Sequence, residues 1–457
     1  MQDERTKRLE EAPLPQLLLH YAVPAIVGTM VVALYNLVDR IFIGQTEGAY
    51  AMAGLALTFP ILIFLQAFGM LVGAGASTRI SILLGQQDRE GAKAILGSAI
   101  ILTAVFSIST ALITLYFLDD FLVIFGGSAE SIPFARRYLL ITVPGNIFSV
   151  LAMGYNAMMR ASGYPRKAMY TMLIGAILNI ILDYVFVYPL GMGIEGVAWA
   201  TVISMFASAC FVMWHFFDRD SLVHFDRGHI KFSAQSMWAI ISIGLSPFAV
   251  QLLGAVSNGL INRGFVESAA TQAEADMAIG AMGIINSYAM IGFFLMLGIA
   301  QAMQPIVGYN HGAGQHRRVY DTVLLTGTIS ALIGVVFTIG AQLFSAPVTD
   351  LFTIDPELKA ASMNAFKLCL YALGFVGTQI IATQFFQSIG HARKSFVLSV
   401  SRQVLFLIPL LLVMPGLMGV DGVWLSLPIS DALSGVLGLA LVYYYFRQQG
   451  VIGSATT

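Results

Sequence analysis

Charged residues are scarce in this chain. Only 11% of its 457 residues are Asp, Glu, Lys or Arg, whereas about 25% is usual for a soluble domain. This shortage excludes an ordinary soluble protein, and the hydrophobic fraction of 57% indicates a chain surrounded mainly by lipid. The formal net charge is −1, so no basic or acidic excess indicates a nucleic acid or another polyanion as partner.

Cysteine is equally rare. Cys210 and Cys369 lie in separate apolar runs, without a CxxC pair or a nearby histidine, which excludes a disulfide framework and a cysteine metal centre. The sequence also lacks HExxH and GxSxG, and His20, His215 and His311 lie far apart in it. We therefore expect no enzyme activity and no cofactor.

Long apolar runs fill most of the sequence. A helix that crosses a bilayer needs about 20 mostly apolar residues, and twelve runs satisfy this in two sets of six. The predicted fold class is an all-α polytopic membrane protein with twelve transmembrane helices. The predicted domains are a cytoplasmic segment (1–16), an N-lobe of six spans (17–217), a cytoplasmic linker (218–236), a C-lobe of six spans (237–446) and a cytoplasmic tail (447–457).

Basic residues are unevenly divided between the two sides of this arrangement. If the N-terminus is inside, most Lys and Arg residues, with Arg402 counted among them, fall on the inner side. Because inner loops are enriched in basic residues, both termini are predicted to be cytoplasmic. The charged N-terminal segment has no small-residue cleavage site and does not indicate a signal peptide.

The sequence contains an internal repeat. Landmarks recur at a separation of about 225 residues, pairing Leu37–Arg40 with Leu260–Arg263, Gly163–Lys167 with Gly390–Lys394, and Pro189–Val197 with Pro415–Val423. The stretch around Gly85 likewise corresponds to that around Gly312. Matching landmarks keep the same side of the membrane, so the repeat is parallel. Two six-helix lobes are predicted, related by a pseudo-two-fold axis along the membrane normal, with a central cleft suited to alternating access.

The two halves differ in their polar residues. With the repeat offset applied, Asp39 corresponds to Asn262, Asn179 to about Leu405, Asp183 to about Pro409 and Thr201 to about Leu427. Asp39 and Asp183 lie roughly 28 and 24 Å from the inner surface at 1.5 Å per residue, both in the outer half. These four N-lobe groups are predicted to converge in one outward pocket.

The chemistry of that pocket leaves two ions open. Two carboxylates, an amide and a hydroxyl make a hard oxygen site for Na⁺. In a dry pocket, desolvation and mutual repulsion raise a carboxyl pKa, so that one proton is held instead.

The alternative is that the same residues have purely structural roles. Asp39 and Arg40 would both reach the outer headgroups if they lie at the interface, and Asn179 or Thr201 would simply join helices. Asp431 is a further acid within a span, and its role stays open.

Further polar side chains are candidates for the central cleft: Tyr35, Asn36, Asn156, Gln251, Asn258 and Gln301. With 21 methionines in the chain, they would form an adaptable surface for bulky ligands. The alternative is that they are ordinary hydrogen-bonding groups between packed helices.

Several stretches resemble one family of membrane proteins. They are YNLVDRIFIG in the first helix, GAGASTRISILLGQQDREGA after the second, MRASGYPRKAM between the fourth and fifth, LNIILDYVF in the fifth and PLGMGIEGVAWAT leading into the sixth. Together they resemble the multidrug and toxic-compound extrusion (MATE) family, and are most similar to its DinF-like, MepA-like bacterial branch. The resemblance covers nearly the whole chain.

The resemblance implies an antiporter of the bacterial cytoplasmic (inner) membrane. It would export amphipathic, often cationic drugs in exchange for H⁺ or Na⁺, function as a monomer among membrane lipids and need no cofactor. It implies a cation site at Asp39, Asn179, Asp183 and Thr201, a cleft residue at Asn156 and a hinge at Pro24. In the other branch of the family, acids lie in the seventh and tenth helices, where this chain has Asn258, Asn262 and Tyr371.

Two other transporter classes are alternatives. A flippase of lipid-linked oligosaccharide or lipid, from the same superfamily, would need a cationic cleft, and the candidate spans hold few Arg or Lys residues, chiefly Arg79, Arg263 and Lys367. A major-facilitator carrier would carry GxxxD[RK]xG[RK][RK] between its second and third helices. The Gly85–Arg89 stretch has the wrong spacing for that motif.

Overall fold

Helices form all the regular secondary structure that the computed structural model describes, which covers residues 2–46, 48–226 and 228–452. Side chains are not described at positions 2–6, 32, 33, 35–41, 43–46, 48 and 49. The helices are α1 (Gln2–Glu11), α2 (Leu14–Thr46), α3 (Gly48–Gly85), α4 (Arg89–Tyr116), α5 (Leu118–Ile124), α6 (Ile132–Ala161), α7 (Pro165–Val187), α8 (Gly193–Phe217), α9 (Ala234–Ser268), α10 (Gln272–Gly312), α11 (His316–Asp350), α12 (Pro356–Cys369), α13 (Leu373–Ser388), α14 (Ala392–Val400), α15 (Ile408–Met418) and α16 (Val420–Gln448). A π-helical segment, Ser401–Leu407, joins α14 to α15.

The predicted spans are confirmed by the lengths of these helices. In the described part of the chain, eleven helical spans are long and apolar enough to cross a membrane, one of them running from α14 through the π-helical segment to α15. A twelfth is formed if α12 and α13, which meet at a bend of 54°, are counted as one broken span. The all-α polytopic fold class is therefore correct.

Two glycine turns have the same backbone conformation in the two halves of the repeat. Gly163 and Gly390, which the repeat aligns, have φ of 88° and 75°. This left-handed region is accessible to glycine without a steric penalty because glycine has no Cβ. The same turn therefore ends the fourth span of the first half and the corresponding span of the second.

The chain forms two compact units, Met1–Gln251 and Leu252–Thr457. The sequence places the domain boundary in the 218–236 segment, and that boundary stays a prediction. In the structure the first part of α9, up to Gln251, is grouped with the first unit and meets α3 at one close backbone contact.

Two glycines make this contact between α3 and α9. A Cβ built on Gly244 would lie 2.6 Å from the carbonyl carbon of Leu71, and one built on Gly75 would lie 2.7 Å from that of Ile240. Real Cβ atoms do not approach backbone carbons so closely. Small residues let membrane helices pack backbone to backbone, and both positions here require glycine.

The 218–233 segment is also fixed to the first unit. The Leu222 backbone N–H donates to Tyr164 Oη at 3.1 Å. His229 lies between two carboxylates, with Nε2 3.1 Å from Glu90 Oε2 and Nδ1 3.3 Å from Asp226 Oδ2. The Gly228 backbone N–H, 3.1 Å from Asp226 Oδ1, lowers the pKa of that carboxyl and keeps it charged. The predicted linker is thus an anchored segment.

Candidate functional site in the first unit

Two polar side chains are buried in the C-terminal half of α7. Asp183 has no exposed surface and Asn179, one turn earlier, is 2% exposed. Neither Asn179 Oδ1 nor Nδ2 has a hydrogen-bond partner among the residues that the structure describes. Buried polar groups are normally hydrogen-bonded, so this buried amide is a candidate ligand group.

Thr201 lies at the same height on the neighbouring helix α8. Ser208 Oγ donates to the Thr171 carbonyl at 3.1 Å, and a Cβ on Gly175 would lie 3.7 Å from the Ser204 carbonyl oxygen. In these antiparallel helices the same register, continued outward, brings Thr201 level with Asn179. Thr201 Oγ1 donates to the Val197 carbonyl at 2.9 Å, which leaves its oxygen lone pairs available to a cation.

Helices α2 and α7 are the first and fifth spans. Because successive spans alternate in direction, these two run parallel. A Cβ on Gly28 would lie 3.5 Å from Met172 Cγ, so these positions are level. Asp39 and Asp183 each lie eleven residues further along their helices. Because both helices rise by the same distance per residue, these two positions are at the same height. The side chain of Asp39 lies outside the described residues.

The remaining residues predicted on α2 are less informative. The side chains of Tyr35 and Asn36 also lie outside the described set. Pro24, the predicted hinge, is buried inside α2, which continues through it from Leu14 to Thr46.

Apolar side chains lie beyond Asp183, toward the C-terminal end of α7. Val187, one turn beyond it, belongs to a buried cluster with Tyr138, Ile194 and Val197. Because an apolar environment strengthens electrostatic interactions, it would strengthen the attraction between the Asp183 carboxylate and a cation. The arrangement can hold a small cation through oxygen atoms alone.

Asn156, predicted to line the cleft, is 1% exposed and bonded within the helix bundle. Its Nδ2 donates to the Ala168 carbonyl of α7 at 2.6 Å, and its Oδ1 accepts a hydrogen bond from Arg160 Nη1. Asn156 therefore joins α6 to α7 and accepts one hydrogen bond from the buried guanidinium of Arg160.

Replacing Asn156 with leucine is expected to reduce stability. The buried Arg160 guanidinium would lose a charge-assisted bond, a change of roughly 2–3 kcal/mol. The loss can be followed in detergent as a lower melting temperature, measured by circular dichroism of the whole chain. A variant with native melting temperature but weakened dye binding would instead support the cleft role.

The other predicted cleft residues are divided between the two units. Gln251 is half-buried at the end of the first unit, whereas Asn258 is exposed and Gln301 half-buried in the second. Gln301 Oε1 has no hydrogen-bond partner in the described part of the chain. Their common role in a cleft stays a prediction.

One charged pair differs from the sequence prediction. Arg402 was expected on the inner side, and this is wrong, because it lies inside the span Ala392–Met418 and pairs with Asp431. The two residues are 29 positions apart, so periodicity could not connect them. The signal available in the sequence was one basic and one acidic residue, each within an apolar run.

Comparison with known proteins agrees with this architecture. The family model MatE matches residues 24–185 and 267–413. The multidrug export protein MepA of Staphylococcus haemolyticus (strain JCSC1435) is 27% identical over 445 residues, covering 97% of this chain and 96% of that protein. MepA of Staphylococcus aureus (strain NCTC 8325 / PS 47) is 27% identical over 449 residues, with the same coverage.

Solved structures share the fold. An outward-facing multidrug resistance MATE family transporter of the MOP superfamily has a TM-score of 0.89 at 23% identity, covering 97% of this chain and 98% of that one. A MATE crystal structure in a bent conformation has a TM-score of 0.90 at 24% identity, covering 99% of both chains. The family model matches more than half of the sequence, and the fold agrees along nearly its whole length. The chain therefore belongs to the MatE family and is a MATE membrane transporter, not an enzyme.

Proposed function

We propose that this transporter exports amphipathic, often cationic organic compounds from the bacterial cytoplasm by alternating access, in exchange for H⁺ or Na⁺. It resides in the inner membrane with both termini cytoplasmic and works as a monomer. The curated relatives named above are multidrug export proteins, and the positive-inside distribution supports the orientation.

The coupling ion binds at Asp39, Asn179, Asp183 and Thr201 in this proposal. The observation that carries it is Asp183, a carboxylate with no exposed surface inside a membrane-spanning helix. Ionisable groups inside a bilayer are costly and mark ion or proton pathways. The open amide of Asn179 beside it supplies the neutral oxygen that a cation site requires.

The cycle follows from the charge of this site. In the outward-facing state, H⁺ or Na⁺ binds Asp39 and Asp183 and favours release of the exported compound. The loaded protein then reorients, releases the ion inside and collects a new compound. One charge moving down about 150 mV releases roughly 3.5 kcal/mol, enough for a gradient of a few hundredfold if the compound is neutral and coupling is tight.

The test is transport by proteoliposomes under an imposed proton or sodium gradient, with a fluorescent organic cation as the exported compound. Native protein should move the dye under one of the two gradients, which identifies the ion. Asp39→Asn should reduce movement to the level of empty vesicles. Asp120→Asn, the same substitution at an exposed position of the short helix α5, is the matched control and should transport normally.

Two results would contradict the proposal. Full gradient-driven transport by Asp39→Asn would indicate that Asp39 has no coupling role and lies at the membrane interface beside Arg40. Absence of native transport under both gradients would favour a lipid or lipid-linked oligosaccharide flippase, which a lipid-scrambling assay on the same vesicles would then detect.

A further inference from the structure

A groove with a volume of about 470 Å³ lies along α7 in the first unit. It runs from Tyr170 to Ile181 and is bordered by Phe211 of α8. Apart from the Tyr170 hydroxyl, every side chain that lines it is a hydrocarbon. Tyr170, Ile177 and Ile181 are 48%, 55% and 54% exposed in a helix that spans the membrane, so the groove opens to the bilayer.

The length of the groove matches one leaflet of a membrane. Tyr170 and Ile181 are eleven residues apart in the sequence, which is about 16 Å along the helix axis. The hydrocarbon core of a bilayer is about 30 Å thick, so one leaflet contributes about 15 Å. Helix α7 begins at Pro165, near the membrane surface. A lipid acyl chain that lies along α7 from that surface therefore fits the groove.

Two basic side chains, Arg166 and Lys167, lie at the surface end of the groove and are called the basic pair. They precede Tyr170 by four and three residues, which places them on the face of α7 that forms the groove. Both are exposed, and neither belongs to an ion pair in the described part of the chain. Lys167 Nζ lies 5.3 Å from the centroid of the Tyr164 ring. The basic pair is therefore available to an anion.

Neighbouring helices carry further basic groups at this end of α7. Arg8 of α1 and Arg166 both lie close enough to His20 of α2 for their charges to act on it. On α1, the acid Glu11 is already paired, with Oε2 3.9 Å from Lys7 Nζ. Basic groups from three helices thus surround the start of the groove.

An aromatic side chain marks the level of the lipid headgroups. Trp and Tyr are enriched at the membrane–water interface, and Trp214, three residues before the end of α8, is 73% exposed. The bond from Ser208 to the Thr171 carbonyl sets the register of the antiparallel helices α7 and α8. This register brings Trp214 close in height to Arg166. The basic pair therefore lies at headgroup level.

We propose that the groove and the basic pair bind one anionic phospholipid, with its phosphate at Arg166 and Lys167 and one acyl chain along α7. Clusters of Lys and Arg beside membrane helices attract anionic headgroups, whereas a lipid without net charge would gain only the apolar contact. In the proposed orientation this lipid belongs to the inner leaflet. It covers the side of α7 opposite to Asn179 and Asp183, because those residues lie about half a helical turn away from the groove.

The test is lipid binding by the purified full-length protein, freed of bound lipid in detergent and measured by native mass spectrometry. Phosphatidylglycerol and phosphatidylcholine with the same two oleoyl chains are titrated separately at low salt. The first phosphatidylglycerol should bind about 25-fold more tightly, since each basic side chain near the headgroup contributes about fivefold. Glycerol 3-phosphate, which has the charge but no acyl chain, should not displace it.

The internal repeat supplies a matched control for the charges. Arg166→Gln with Lys167→Gln should reduce the preference for phosphatidylglycerol to about fivefold or less. Arg393→Gln with Lys394→Gln removes the pair that the repeat aligns with it, at the start of α14. There the helix face that follows is interrupted by the π-helical segment Ser401–Leu407. This control should keep the native preference.

A second pair of variants tests the groove separately from the charges. Ile177→Trp places a large ring in the middle of the groove and leaves the basic pair intact. It should weaken binding of both lipids by roughly tenfold, the effect of removing about two methylene groups from apolar contact. Ile108→Trp adds the same ring on α4 at a side chain that is 54% exposed, and should bind both lipids as the native protein does.

Each of four results would overturn the inference. They are equal affinity of the native protein for the two lipids, displacement of the lipid by glycerol 3-phosphate, a native preference in Arg166→Gln with Lys167→Gln, and native affinity in Ile177→Trp. The first two need no variant and decide the matter if a variant does not fold. Because no transport is measured, these results are separate from those on export.

Discussion

Asp183→Asn is expected to abolish gradient-driven export. The substitution preserves the size of a side chain that has no exposed surface, and removes both the charge and the site of protonation. An amide cannot alternate between charged and neutral forms, so the proposed site would lose one of its two titratable carboxyls. A sodium ion would lose one of its two anionic ligands. Driven accumulation of dye should therefore fall to the level of empty vesicles with either ion.

Folding and coupling can be separated in this variant. The melting temperature measured by circular dichroism should stay near the native value, because asparagine matches aspartate in shape. Dye binding without a gradient should persist as well. Native-rate driven export by Asp183→Asn would show that coupling lies elsewhere, whereas an early melting transition would show that the carboxylate is structural.

Gly244→Ala is expected to destabilise the protein. The added methyl group would lie 2.6 Å from the Leu71 carbonyl carbon, which cannot move without shifting α3 itself. Overpacking of this kind costs about 1–3 kcal/mol or more. Alanine favours helix formation over glycine, so a loss of stability must come from the contact. Gly75→Ala, which meets the Ile240 carbonyl carbon at 2.7 Å, should act in the same way.

The same helix supplies a matched control. Gly259 also lies in α9, and a Cβ built on it meets no atom within 4 Å among the described residues. Gly259→Ala should melt at or slightly above the native temperature. Equal melting temperatures of Gly244→Ala and Gly259→Ala would show that α3 and α9 can move apart to fit the added methyl group at little cost in stability.

Hydropathy made most of the architecture predictable. Apolar runs long enough to cross a bilayer must satisfy their backbone hydrogen bonds internally, and helices do this. Asn179 and Asp183 could be placed on one face of α7 because they are four residues apart. Their burial was predictable because the surrounding run is apolar.

Contacts between distant parts of the sequence could not be predicted in this way. Asn156 bonds a backbone carbonyl twelve residues away on another helix, and no side-chain pattern marks that partner. Arg402 was placed near the inner surface because the sequence shows neither the π-helical segment nor the pairing with Asp431, which is 29 positions away. The contacts of the 218–236 segment were equally unpredictable, since its polar sequence resembles a free linker while Tyr164 and Glu90 hold it.

The inclusion of the first part of α9 in the first unit has a consequence for biosynthesis. Six spans emerge from the ribosome first, but the surface of α3 around Leu71 and Gly75 stays incomplete until residues up to Gln251 have been inserted. A nascent chain halted in the 218–233 segment should therefore be sensitive to protease, and one extended beyond the seventh span should be resistant. The same reasoning applies to a gene divided at that segment, whose first fragment would lack the helix that completes it.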